Sequence, residues 1–385
     1  MSDVIIKFLE GTKECTKTLK SSRILHTDRL YKKINREVES VQEITIKYSL
    51  EKVRNPRHLI KELNLLLKIG GKFIIKGTDF SDHHGIIRST SKVLCEISLS
   101  TKDSLILAEK NIHKGKYNLT YSKVKTCINE KSDINSWSFG IITNGKNVKN
   151  VDRLVQSIIN QKIPNYEIIV CGEYQGQFAG AIKQMPDIEY RSDIRAPIQL
   201  KKNKIAFSAM YENLIILHDR YEIPALWHSK LKEFGDHFEL LVMPNLNSER
   251  RRITDYLFFP NLPTEKVFRI NFLPSYQKWS NNWYSQGGVI IIKKSIFLNH
   301  PIPEYLHWGE LEDIVFSQIL NLNGYLLYFD SNNYLLSNSE RIKPSSNTTK
   351  QLNSFRFFIR LSKKIYRNNL IYFKRLSNLL NEKKG

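Results

Sequence analysis

Apolar runs and helical apolar spacings alternate through the middle of the chain. Ser138-Phe139-Gly140-Ile141-Ile142-Thr143 reads as a strand. Val151, Leu154, Val155, Ile158 and Ile159 then recur at the spacing of an amphipathic helix, which runs to Gln161 and is broken by Pro164-Asn165. Residues 166–171 form the next strand, dense enough in β-branched side chains for a buried parallel position. Residues 188–190 predict a short third strand, residues 198–210 a helix, and residues 213–217 a fourth strand. Farther on, the apolar run 289–292 is followed by a helix over 314–322, closed by Asn323-Gly324, and by a strand over 326–328. Alternation of this kind predicts an α/β fold over residues 135–337, with a mixed, mostly parallel sheet flanked by helices.

Two further regions flank this one. Residues 59–67 carry helical spacing behind Pro56, Lys68-Ile69-Gly70-Gly71 reads as a helix-stop turn, and residues 72–77 read as a strand. Residues 1–131 are therefore expected to form a smaller α/β region. This helix, Gly-Gly turn and strand resemble the later part of class I methyltransferases, whose cofactor binds at an earlier Gly-rich loop. No such loop stands upstream of Leu59, so either a degenerate domain of that type or an ordinary α/β module is expected. At the other end, Lys343-Pro344-Ser345-Ser346-Asn347-Thr348-Thr349 is a polar linker into a basic amphipathic stretch, so residues 338–385 are expected to form a helical tail. Phe355, Phe358, Leu361 and Ile365 supply its apolar surface; Arg356, Arg360, Lys363, Lys364 and Arg367 supply charge. Such a helix either lies in a membrane interface, where each basic residue adds about 1 kcal/mol near anionic lipid, or packs back on its own domain.

A net charge of +21 narrows the partners more than the fold. Nucleic acid, an anionic membrane surface and phosphorylated substrates all suit it, as does a simple Lys-rich and Asn-rich bias. The basic residues are spread along the chain and form no nucleic-acid motif, so nucleic acid is not expected. No apolar run reaches the roughly 18 residues of a membrane span. The first residues lack a basic-then-apolar signal pattern, and Cys15, Cys95, Cys127 and Cys171 form no CxxC pair. Reduced thiols in a cytoplasmic protein are expected, with the tail suited to the inner face of the membrane. Cys171 should be a small buried apolar residue.

The chemistry concentrates in two places. Gln286-Gly287-Gly288 leads into the run 289–292 and Lys293-Lys294; Trp308-Gly309-Glu310-Leu311-Glu312-Asp313 opens the helix over 314–322. A helix dipole favours acids at its start, but the glycines and the aromatic need a further reason. Upstream, the strand over 213–217 runs into His218-Asp219-Arg220, at the strand end where α/β sheets place ligands. Trp279, Trp283 and Tyr284 either stack on a sugar or fill the core. Glu249-Arg250-Arg251-Arg252 either attracts a phosphate-bearing acceptor or is a solvated charge run.

Taken in order, these features over residues 136–328 resemble inverting glycosyltransferases of the large family 2 type, which have the GT-A fold. The resemblance implies a GT-A (nucleotide-diphospho-sugar transferase) architecture. It also implies transfer of a sugar from a nucleotide-diphosphate donor to a hydroxyl of a glycan or lipid-linked acceptor, with inversion, in cell-surface polysaccharide or glycolipid synthesis. It places the nucleotide against Thr143 and Asn144, with Glu173 supplying the one carboxylate toward the base. It sets Lys202, one residue before Asn203 and seven before Ala209, toward the diphosphate. The family's Asp-any-Asp motif, which holds a divalent cation (Mn2+ or Mg2+), is replaced here by His218-Asp219-Arg220. Either Asp219 is the lone metal ligand, or Arg220 supplies charge at the diphosphate. Gly287 and Gly288 would line the donor sugar and acceptor. Asp313 would be the base toward the acceptor hydroxyl, and Glu312 would orient the acceptor or cap the helix. The other reading is a catalytically inactive transferase-like fold acting as a basic binding module.

Overall fold

The computed structural model describes residues 3–10, 13–20, 28–47, 50, 53, 55–80, 88–188, 197–258, 283–306 and 312–338. The N-terminal region contributes β1 (Asp3–Glu10), β2 (Lys13–Lys20), α1 (Leu30–Lys33), β3 (Val41–Lys47), α2 (Pro56–Leu66), β4 (Leu67–Thr78), α3 (Ser89–Thr101), β5 (Leu105–His113) and β6 (Lys116–Lys123). Its strands lie in the order β2-β1-β3-β4-β6-β5; β3 and β4 are parallel and the other neighbours antiparallel. The expected helix stop at Gly70-Gly71 is corrected. Pro56 is the first residue of α2, which ends at Leu66, and β4 starts at once, Leu67 pairing with Val41 and Lys72 with Glu43. Residues 68–71 bulge between those pairs, opposite Gln42 alone.

The central region opens with β7 (Ser136–Ile142), α4 (Val148–Ile159), β8 (Asn165–Cys171), β9 (Lys183–Met185), α5 (Ile198–Ser208) and β10 (Asn213–His218). Then come β11 (Tyr221–Glu222), α6 (Trp227–Phe234), β12 (Leu240–Val242), β13 (Asn245–Leu246), β14 (Arg252–Ile253), β15 (Tyr256–Phe258) and β16 (Trp283–Ser285). It closes with β17 (Val289–Lys293), α7 (Lys294–Asn299), α8 (Glu312–Leu322), β18 (Leu327–Phe329) and β19 (Leu335–Ser337). Seven strands form one sheet in the order β18-β12-β17-β10-β7-β8-β9, in which β17 alone runs against the rest. The mostly parallel sheet expected from the alternation is thus present. A strand pairs with β8 at 183–185, ahead of the expected 188–190, and ends at Pro186, since proline cannot donate to a ladder; Glu189 and Tyr190 of that expected strand lie outside the described residues. Residues 189–196 and the tail from 339 onward lie outside the described residues. No helix among the described residues is long and apolar enough to cross a membrane.

Strand alternation sorts the side chains onto two cores. In β10, Ile215 and Leu217 join a cluster with Leu154 and Val155 of α4 and Trp227 of α6. Leu214 and Ile216 face the other way, toward Ile205 and Ala206 of α5, Phe297 of α7 and Phe316 of α8. In β8, Ile168 and Val170 take the first face and Ile169 and Cys171 the second. Both faces are covered, which is why these strands read as continuous apolar runs.

The N-terminal sheet has its own core, yet ion pairs lock it against the central region. Arg29 and Glu62 are buried, with Nε and Oε1 3.2 Å apart. Glu62 also accepts from the Leu30 backbone N–H at 2.7 Å. The Arg29 guanidinium donates to the carbonyl of His237 at 2.5 Å and lies 4.7 Å from the Tyr328 ring centroid and 4.9 Å from that of Phe234. Lys61 pairs with Glu239 at 2.8 Å, and Arg57 donates to the Asn321 carbonyl at 2.8 Å.

His237 at this seam gives stability a pH dependence. Burial, helped by the charge of Arg29, pushes its imidazole down to about 4. In the unfolded chain it titrates near pH 6.5. Between those values the unfolded state holds more protons, so this contribution is complete above about pH 6.5 and is lost as the pH falls toward 4. Denaturant titrations at pH 7 and pH 5 should show wild type losing more stability than His237→Gln; equal losses would refute the assignment.

Candidate active site

The C-terminal ends of the parallel strands β7, β8 and β10 lie together, and the antiparallel β17 begins at that same end. Thr143 and Asn144 follow β7, Gly172 and Glu173 follow β8, His218-Asp219-Arg220 closes β10, and Gly287-Gly288 precedes β17. The His218 N–H bonds the Gly288 carbonyl at 3.1 Å and the Asp219 N–H bonds the Ile142 carbonyl at 3.2 Å, so the loops are stitched to one another. The second-turn lysines of α5 and the first-turn acids of α8 complete the cluster.

On the β7–β8 side, the Thr143 hydroxyl donates to Asp219 Oδ2 at 2.9 Å and accepts from the Gly145 N–H at 3.2 Å. Asn144 is exposed, its Oδ1 accepting from the Lys146 N–H at 3.1 Å in a tight turn. Glu173 is exposed beside Gly145. The residue of α5 that reaches this side is Lys201, which the sequence reading missed in favour of its neighbour. Its Nζ donates to the Thr143 carbonyl at 2.7 Å and pairs with Asp187 at 2.6 Å. Adjacent helical residues point about 100° apart, which sends the Lys201 amine to Thr143 and the Lys202 amine to Glu312.

Gly172 holds these loops at close range. Its φ is +130°, and a Cβ there would stand 2.2 Å from the Thr143 carbonyl oxygen. Backbone cannot yield as a side chain does. Gly172→Ala should cost about 2–3 kcal/mol in urea unfolding, and a loss under about 0.5 kcal/mol would contradict the contact.

On the β17–α8 side, the Gly287 N–H donates to Asp313 Oδ2 at 2.9 Å. A Cβ on Gly287 would lie 3.0 Å from Asp313 Cβ and 3.2 Å from Glu312 Oε1. The glycine therefore admits the two acids. Gly288 does the same for Arg220, whose Nη2 would be 2.6 Å from an added Cβ. Lys202 is fully buried; its Nζ sits 3.6 Å from Glu312 Oε1 and makes no hydrogen bond among the described residues. It thus faces the buried acid Glu312, whereas the resemblance sets it toward the diphosphate. Burial raises the Glu312 carboxyl and lowers the Lys202 amine, and the attraction between them opposes both shifts. Asn203 fixes the approach to this pair, its amide bonding both the carbonyl and the N–H of Ile302, at 2.8 and 3.1 Å.

The remaining candidates are settled by burial and pairing. Trp283 and Tyr284 are buried and fill the core; Trp279, Trp308, Gly309 and Glu310 lie outside the described residues. Arg251 is exposed beside Glu249, Arg250 bonds the Tyr334 hydroxyl, and Arg252 grips Asp255 with Nε and Nη2, each at 2.7 Å. Each arginine of the run thus has a partner, Arg251 within it and Arg250 and Arg252 outside it.

A divalent cation needs several oxygen ligands. Asp219 brings one carboxylate, raised by burial and already receiving Thr143, between the cations Lys201 and Arg220. Among the described residues no group of three or more His, Cys, Asp or Glu side chains could hold a metal. Among the described residues the donor set does not fit a bound cation.

No family model and no curated protein sequence matches the chain. Solved structures similar to it include S. aureus TarS residues 1–349, at 15% identity and a TM-score of 0.39 over 53% of this chain and 60% of that one. The mannosyltransferase PcManGT from Pyrobaculum calidifontis, in complex with GDP-Man and Mn2+, aligns at 12% identity and a TM-score of 0.36 over 53% and 57%. GalNAc-T7 with UDP, GalNAc and Mn2+ aligns at 15% identity and a TM-score of 0.37 over 53% and 44%. The chain thus spans less than two thirds of each of these structures.

Proposed function

We propose that the chain is a glycosyltransferase of GT-A architecture, moving a sugar from a nucleotide-diphosphate donor to an acceptor hydroxyl. The observation that carries this reading is the convergence, at one sheet end, of Asp313 on the Gly287 backbone, the Lys202–Glu312 pair and the Thr143-Asp219-Arg220 loops. A hydroxyl is a poor nucleophile, and a positioned carboxylate removes its proton as it attacks. Asp313 takes that proton. The oxygen bonds to the anomeric carbon, and the bond to the diphosphate breaks, its electron pair leaving with the nucleotide. One in-line displacement inverts configuration. Buried Glu312, tied to Lys202, holds the start of α8 in register with Gly287.

The acceptor is a glycan or a lipid-linked sugar, and the basic sequence after residue 338 supports work at the anionic inner face of a membrane. The N-terminal region is a non-catalytic module: β1 and β2 form an antiparallel hairpin and no Gly-rich loop precedes α2. Incubation of the full chain with a panel of UDP-, GDP-, CDP-, ADP- and dTDP-sugars should release nucleotide from at least one above the buffer rate. Release from none, with or without extracted membrane glycolipid as acceptor, would leave the inactive binding module as the better reading.

A further inference from the structure

The charges at this sheet end do not all have partners. Lys201 has Asp187 and Lys202 has Glu312. Arg220 has no carboxylate at ion-pair distance among the described residues, because Asp219, beside it in sequence, has turned to Thr143. Its Nη1 instead donates to His218 Nδ1 at 3.4 Å. Burial and the charge of Arg220 hold that imidazole neutral, so the acceptor nitrogen is Nδ1 and the proton sits on Nε2. Nε2 is itself buried with no partner among the described residues. The guanidinium is nevertheless held firmly. It lies 5.2 Å from the Tyr221 ring centroid, and the Tyr221 hydroxyl accepts from Gln286 Nε2 at 2.7 Å. Gly288 leaves the room that its Nη2 occupies. A half-buried cation fixed in place without a counter-charge is costly unless a ligand supplies one. A guanidinium fork suits two phosphate oxygens at once.

Resting on the glycosyl-transfer reading of this same site, we propose that Arg220 supplies the positive charge the departing diphosphate needs, and that donor binding and transfer require no divalent cation. The negative charge that builds up on the leaving oxygen as the sugar–phosphate bond breaks is met by the guanidinium. His218 is a positioning residue, steering the fork through Nδ1.

Calorimetric titration of the full chain with UDP, GDP, CDP, ADP and dTDP, in EDTA and in Mn2+, tests this. The nucleotide that binds should do so with the same affinity in both buffers, within about twofold, and Arg220→Ala should weaken it by about 10- to 100-fold. Arg220→Lys, which keeps the charge and loses the fork, should fall between and guards against a variant that fails to fold. Affinity tightened about tenfold or more by Mn2+, with the gain lost in Asp219→Asn, would overturn the proposal and leave glycosyl transfer standing. Unaltered binding by Arg220→Ala would overturn it as well. Binding of no nucleotide in either buffer would remove the proposal and the transferase reading together.

Discussion

Asp313→Asn should lower donor turnover by about 10²- to 10⁴-fold while nucleotide affinity stays within about threefold. The amide keeps the shape of the carboxylate and can still accept from the Gly287 N–H through its oxygen, so the local structure survives. What it loses is basicity, which matters only as the acceptor proton is transferred. Steady-state kinetics with the donor identified by the panel give the first number and calorimetry the second. Turnover near wild type would reduce Asp313 to a residue that starts α8 and anchors Gly287. Affinity lost in parallel with turnover would place it in donor binding instead.

The largest effect on stability is expected from Glu62→Ala, about 3–5 kcal/mol in denaturant unfolding. Removing the carboxylate leaves the Arg29 charge buried among Tyr31, Phe234 and Tyr328 with no opposite charge, and orphans the Leu30 N–H. The desolvation cost of a buried ion is of that order once its partner is gone. Replacing both partners with apolar residues, Arg29→Met with Glu62→Leu, should recover most of the loss, since a packed apolar pair avoids the desolvation altogether. A cost below about 1 kcal/mol for the single variant would show that water reaches Arg29 and that the seam is looser than its geometry.

The strands and helices of the central sheet were legible because burial on both faces writes itself as dense β-branched runs, as in residues 166–171 and 289–292. The reversed direction of β17 was not, since an apolar run carries no sign of which way it pairs. Nor was β9, where three residues with little apolar signal pair with β8. At the site, Glu312 and Asp313 stood out by their place at a helix start, and Gly287 by preceding a strand. Their direct contact is long-range and left no trace in spacing. Lys201 and Lys202 show the limit most clearly. Two adjacent lysines look alike in sequence, yet helix rotation sends one to Thr143 and the other to Glu312. The seam was unreadable for the same reason: Arg29, Lys61 and Glu62 resemble surface charges until tertiary packing brings Glu239, His237 and Tyr328 against them.

Hydrogen-exchange mass spectrometry of the full chain, with and without the nucleotide sugar that binds, tests most directly that the sheet end is the donor site. Slower exchange is expected in the loops carrying residues 143–146, 172–174, 218–221 and 286–288, with little change in β1 to β6. Unchanged exchange in those loops on saturation with donor, or protection confined to the N-terminal sheet, would contradict it.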